Sequence, residues 1–244
     1  MSGPSAEGPC RECGVHNAAD HNYCKHCGTP LRAIIFERES GTGFSARTRD
    51  RCLALLKANP NDTDAHYSLG LACYHLGEIG NAIRAFERVL QLEEAYPGAH
   101  FQLAVCHYRR GNMSGCAQVS RRAIELNPAS APARYRLAIS LFHLGRLDEA
   151  ATAFEEVLAT DSEYVIAWYH LGIVRERLDD LDGAIACFEH VVDANPQDAS
   201  AHYHLGIGYK RLEKDALAMS ALTRALELDP SDEAAALELQ ELQR

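Results

Sequence analysis

A hydrophobic pattern recurs every 34 residues along most of this chain, and no other feature restricts its fold so strongly. Leu69, Leu103, Leu137, Leu171 and Leu205 stand at that spacing, each followed by a small residue: Gly70, Ala104, Ala138, Gly172 and Gly206. Five copies run without an insertion, over 63–96, 97–130, 131–164, 165–198 and 199–232. A fixed period of this length marks stacked supersecondary units, because one unit cannot bury its apolar face alone and needs a neighbour on each side.

Each unit reads as two helices. The first carries the Leu and small-residue pair, and Gly77, Gly111, Gly145, Asp179 or Glu213 marks the turn after it. The second begins with Ala82, Cys116, Ala150, Ala184 or Ala218, small enough for paired helices to approach closely. Larger groups follow at Phe86, Phe154, Phe188 and Leu222, with Ser120 in their place in the second unit, and then Val89, Ala123, Val157, Val191 and Ala225. Pro128, Pro196 and Pro230 end the second helix in three copies.

The ends of the array read as caps. Residues 46–62 form an N-terminal half-unit: counting back 34 from Phe86 and Val89 lands on Cys52 and Leu55, which with Leu56 make one helical stripe before Pro60. Residues 233–244 form a C-terminal capping helix, with Ser231 as its N-cap and Ala234 and Leu237 covering the last unit.

Residues 1–9, rich in Gly, Pro and Ser, read as a disordered tail. In 10–36, Cys10 and Cys13 form one C-x2-C pair and Cys24 and Cys27 a second, ten residues on, each followed by Gly. Four thiolates so spaced can close a tetrahedral site with no open position, which predicts one structural Zn2+ per chain. Such a metal stabilises a segment too short to hold a core, with apparent binding on the order of 10 to 16 kcal/mol. His16, His21 and His26 crowd the segment but are not needed to complete the set. Leu31 to Glu39 reads as a strand ending the module. Gly41 and Gly43, in the 37–45 linker, make a hinge, since ESGTGFS lacks the Lys of a phosphate-binding loop.

Two resemblances follow from these residues. The paired cysteines resemble the small zinc ribbons at the ends of many bacterial proteins. Trp168, Leu171, Gly172, Ala184, Phe188 and Pro196, with the same columns in the other copies, resemble the tetratricopeptide repeat pattern over about residues 46–244. Together they imply an all-α fold: a right-handed solenoid of helical hairpins, about five full repeats plus caps, preceded by a small zinc-ribbon module. Ser120, His107 and Arg175 depart from the pattern. The polar pair predicts a looser unit or an internal polar contact.

Charge separates function classes. The net charge of −10 divides as −1 over residues 1–27, +3 over 28–58 and −12 over 59–244. An acidic array disfavours general nucleic-acid binding, which rests on Lys and Arg neutralising phosphates. The alternative kept open is a regulator touching nucleic acid through the ribbon and the basic segment Arg32 to Lys57. No apolar run suggests a membrane span, the start lacks a signal-peptide core, and the scattered thiols fit a reducing compartment, so the expected location is cytoplasmic.

Chemistry is not expected in the repeats. The histidines recur in columns, His66, His100 and His202 in one, His75 and His143 in another, His170 and His204 in a third. Recurrence at the repeat period belongs to a scaffold, and there is no nucleophile elbow, metalloprotease helix or phosphate loop. The chain reads as a non-enzymatic adaptor, with the ribbon as an accessory docking module.

The resemblance implies that one face of the first helices lines an inner groove. Four columns define it: Tyr67, Phe101, Tyr135, Tyr169 and Tyr203; then Leu71, Val105, Ile139, Ile173 and Ile207; then Tyr74, Tyr108, Phe142, Glu176 and Lys210; and last His75, Arg109, His143, Arg177 and Arg211. An apolar floor with a cationic or titratable edge suits a peptide or protein segment with apolar anchors and acidic flanks. Packing between adjacent first helices would also demand part of the aromatic column. Relatives that clamp a C-terminal carboxylate place Asn in the second column and Lys in the first, and neither is present, so no such clamp is expected.

Overall fold

The computed structural model describes residues 42–244 and two short strands, β1 (Gly8–Pro9) and β2 (His16–Asn17). The strands pair antiparallel, with Gly8 opposite Asn17. Twelve helices fill the rest of the described chain. They are α1 (Thr42–Ala58), α2 (Thr63–His75), α3 (Ile79–Leu92), α4 (Pro97–Arg109), α5 (Met113–Leu126), α6 (Ala131–His143), α7 (Leu147–Thr160), α8 (Val165–Arg177), α9 (Leu181–Ala194), α10 (Ala199–Arg211), α11 (Asp215–Leu228) and α12 (Glu233–Leu242). None is long and apolar enough to cross a membrane.

The chain divides into two compact units, Met1–Ser140 and Leu141–Arg244, with the boundary inside α6. In the first, α1 packs on α2, and the α2/α3 and α4/α5 hairpins stack through α3 and α4. In the second, α7 packs on α8, the α8/α9 and α10/α11 hairpins stack through α9 and α10, and α12 covers α11.

Close approach within a hairpin follows from one pairing of sizes. A Cβ on Gly172 would lie 2.8 Å from the Phe188 ring, one on Gly70 2.6 Å from Phe86 and one on Gly206 2.5 Å from Leu222. The large partners are fully buried, as are Ala82, Cys116, Ala150, Ala184 and Ala218. In the repeat over 97–130, Ala104 replaces the glycine and the residue at the large position is the buried Ser120, whereas the next repeat carries Ala138 with Phe154 still in the large position.

The hairpin turns share one backbone solution. Gly77, Gly111, Gly145, Asp179 and Glu213 all have positive φ, between 57° and 77°. Glycine adopts this left-handed state freely, whereas Asp179 and Glu213 carry a Cβ into it at a cost. Asp62, Asn112, Asp180, Asp198 and Asp232 cap the helices that follow them, each accepting from a backbone N–H three residues on.

The histidine columns have structural work. His66 Nε2 meets the Pro60 carbonyl at 3.0 Å, His100 that of Glu94 at 2.9 Å and His202 that of Pro196 at 3.2 Å. Trp168, in the same column, donates Nε1–H to Ser162 O at 2.9 Å and stacks on His190. Each ring thereby ties the start of a first helix to the loop six residues upstream.

Several expectations are corrected. The expected zinc-ribbon module and its Zn2+ are not found among the described residues, where no group of three or more His, Cys, Asp or Glu can hold a metal. Cys10, Cys13, Cys24, Cys27 and the strand expected over Leu31 to Glu39 lie outside the described residues. The described repeats are accordingly all-α, with twelve helices among the described residues, about six repeats' worth. α1 begins at Thr42, inside the stretch read as linker. Leu55, expected on the packing stripe, is 47% exposed. At the other end Asp232, not Ser231, caps α12, and Ser231 bonds to Asp229. Ala235, Leu239 and Leu242 cover the last hairpin, leaving Leu237 62% exposed.

Candidate functional site

The four columns fall on the first helices as 3.6-residue periodicity dictates, but exposure sorts them. Tyr67 is fully buried with Phe86 and Tyr96, and Ile139 is buried as well, so both are core. Phe101, Tyr135, Leu71 and Val105 in the first compact unit, and Tyr169, Tyr203, Ile173 and Ile207 in the second, are half-buried. Tyr74, Tyr108, Phe142, Glu176 and Lys210 are half-buried too, and His75, Arg109, His143, Arg177 and Arg211 are all exposed.

In the first unit the cations sit on aromatic rings. The Arg109 guanidinium carbon lies 4.8 Å from the Tyr74 ring centre, and that of Arg136 lies 5.1 Å from Tyr108. In the second unit Arg177 lies 4.5 Å from Phe142 in the same way. Ring faces attract such cations and hold them in place without neutralising them. Among the described residues none of the three guanidinium groups meets a carboxylate.

The second unit otherwise neutralises itself. Arg211 donates to Asp179 at 2.5 Å, and Lys210 to Glu238 and Glu241 of α12, each at 2.6 Å. These carboxylates hold the Lys210 ammonium up at about 12. His204 meets Glu176 at 3.0 Å and stacks on Phe188. Arg136 was not singled out in the sequence, although it stands in the column of His170 and His204, one and two periods before them. The signal was a polar column that changes chemistry from copy to copy.

The two polar departures are internal contacts. Arg175 donates to Glu155 at 2.8 Å and to the Cys187 sulfur at 3.6 Å, and lies 3.7 Å from Asp180. Tyr209, one period on, donates to Glu189 at 2.7 Å. His107 Nδ1 meets Asn112 at 3.2 Å, and burial lowers its pKa.

Among the described residues the buried thiols are not set up as nucleophiles. Burial pushes the thiols of Cys73, Cys106 and Cys187 up to about 11, which keeps them neutral and inert. Burial lowers the pKa of His100 and His170, whose rings are occupied by backbone carbonyls. In the basic segment expected to touch nucleic acid, Arg49 is paired with Asp50 and with Glu78 of α3. Nothing among the described residues supports the nucleic-acid alternative or the ribbon as a docking module, and both are set aside.

Comparison with known proteins agrees with the repeat alone. The tetratricopeptide repeat model matches residues 49–99, 135–198 and 169–233. A model described as anaphase-promoting complex, cyclosome, subunit 3 matches residues 77–157. No curated protein matches the chain. Among solved structures, YrrB, described as a TPR protein with an unusual peptide-binding site, is 18% identical at a TM-score of 0.70, over 79% of this chain and 99% of its own. MamA 41-end from Desulfovibrio magneticus RS-1 is 22% identical at 0.66, over 70% and 97%. Pseudomonas aeruginosa pilF is 17% identical at 0.67, over 82% and 90%. At these identities the likeness is one of fold. The repeat family is a non-catalytic interaction scaffold, and the chain is not an enzyme. By its matched repeats, the described hairpins and their turn geometry, the chain belongs to the tetratricopeptide repeat family.

Proposed function

We propose that the chain is a docking protein that takes up peptide or protein segments on its first-helix faces, with apolar anchors on the half-buried columns and acidic flanks on the cations beside them. The observation that carries this reading is the seating of Arg109, Arg136 and Arg177 on aromatic rings without a carboxylate partner among the described residues. A guanidinium so held is already ordered, and less side-chain freedom is lost when a partner's carboxylate arrives. Each apolar anchor buried on such a face contributes roughly 1.5 to 3 kcal/mol. A few anchors, less the ordering costs, give affinities of about micromolar, as an adaptor needs. YrrB, a protein of the same fold, carries a peptide-binding site of its own.

The test is a quantitative pull-down with the full chain and two variants, Tyr74→Ala/Arg109→Ala and Phe142→Ala/Arg177→Ala, with folding checked by circular dichroism. Loss of a shared set of partners from at least one folded variant is expected. Retention of every partner by both would remove the first-helix faces from the function.

A further inference from the structure

Leu53 on α1 is 46% exposed at the edge of a cavity of about 310 Å³ between α1, α2 and α3. The repeat supplies its own comparison. At successive steps of 34 residues from Leu53 stand Glu87, Arg121, Glu155 and Glu189, all charged and all exposed. An outward position that is charged in four second helices is thus a leucine in α1. Leu69 and Cys73 of α2 continue the apolar lining.

The rim is cationic. Arg49 is neutralised by Glu78 at 2.6 Å. Among the described residues Arg88 donates only to amide oxygens, Asn61 at 2.7 Å and Gln91 at 3.1 Å, and Arg84 only to that of Asn81. Amide oxygens satisfy the N–H groups but leave the charge, and among the described residues neither arginine meets a carboxylate. Arg84 is as unusual in its column as Leu53: the other copies carry Gln118, Thr152, Ala186 and Ser220. Two departures from the repeat therefore meet at one cavity, on a chain that is −12 over residues 59–244.

We propose that this cavity is a second peptide-binding site, separate from the first-helix face, and that it takes an acidic segment carrying one aliphatic side chain. The aliphatic group rests on Leu53 and Leu69, and flanking Asp or Glu carboxylates meet Arg84 and Arg88, whose planar forks match a carboxylate bidentately. The volume lies at the small end of ligand pockets, about 300 to 1,000 Å³, which admits a side chain and its flanks rather than a folded surface.

The probe is a fluorescein-labelled peptide with Glu-Asp-Leu-Asp-Glu at its centre, compared by anisotropy with the same peptide carrying Lys for each acid. The full chain is expected to bind the acidic peptide and not the basic one, and binding is expected to weaken with salt. Leu53→Glu installs what three other copies carry at that position and so keeps the fold. It is expected to weaken binding at least about tenfold, as is Arg84→Gln/Arg88→Gln. Tyr74→Ala/Arg109→Ala is expected to leave this binding unchanged, which separates the site from the first-helix face. Failure of the full chain to bind the acidic peptide, as when another part of the chain fills the cavity, equal binding of the basic peptide, or indifference to Leu53→Glu overturns the proposal.

Discussion

His204 and Glu176 meet across neighbouring first helices at 3.0 Å, and one unit further on the same two positions are joined by Lys210 and Glu238 at 2.6 Å. In the first compact unit Tyr108 and Arg136 occupy them, guanidinium over ring at 5.1 Å. Each pair is separated by 28 residues. The repeat fixes the adjacency and leaves the chemistry free.

Lys210 joins α10 to α12, so its pair with Glu238 and Glu241 holds the end cap. Lys210→Glu is expected to lower the melting temperature, and adding Glu238→Lys to restore part of it. The coupling should fade in high salt, because both side chains are partly exposed. Thermal melts of the double-mutant cycle at low and high salt check this; additive effects of the two substitutions would deny the contact.

Burial is the main cause lowering the pKa of His100 and His170 below the ordinary 6.5. Between the folded and unfolded values the unfolded chain binds more protons, so stability rises with pH there. Conversely, it is lost as pH falls through 6.5 toward the folded values. Melts between neutral and mildly acidic pH should show the decline. His100→Gln/His170→Gln should flatten it, though less stable at neutral pH.

Glu213 holds a left-handed φ of 57° where three other units place glycine. Glu213→Gly is expected to stabilise the chain by about 1 kcal/mol, and Gly77→Ala to destabilise it by a similar amount. Urea unfolding of both variants tests the pair of opposite signs.

Gly172 lies under the Phe188 ring, with room for no Cβ. Gly172→Ala should cost about 1 to 3 kcal/mol by overpacking, and Phe188→Leu in the same chain should recover part of it. Trp168, four residues away and the chain's one tryptophan, gives a fluorescence readout local to this hairpin.

Much of the fold is legible because one period encodes one structural unit. Leu171, Gly172 and Phe188 announce a hairpin, and copies at a fixed spacing announce the stack. The turn residues were legible for the same reason, since a glycine column interrupted only by Asp179 and Glu213 marks a common backbone state. Exposure was not legible at the array's ends. Leu55 stands one period before the buried Val89 and Leu237 one period after the half-buried Tyr203, yet they are 47% and 62% exposed. Tyr67 shows the converse, an aromatic expected on the groove that the first hairpin keeps wholly inside.

The candidate site divides in the same way. The sequence by itself determined the repeat, the two-helix unit, its close-packed pairs and the columns from which a binding face is drawn, because periodicity and side-chain size are local properties. Only the tertiary structure decided which members of those columns reach solvent and which cations are already neutralised. Arg177 and Arg211 share a column, yet one rests on Phe142 and the other on Asp179. The difference comes from what the neighbouring unit places opposite each side chain, a relationship between residues about 32 to 35 positions apart that exists only once the hairpins have stacked.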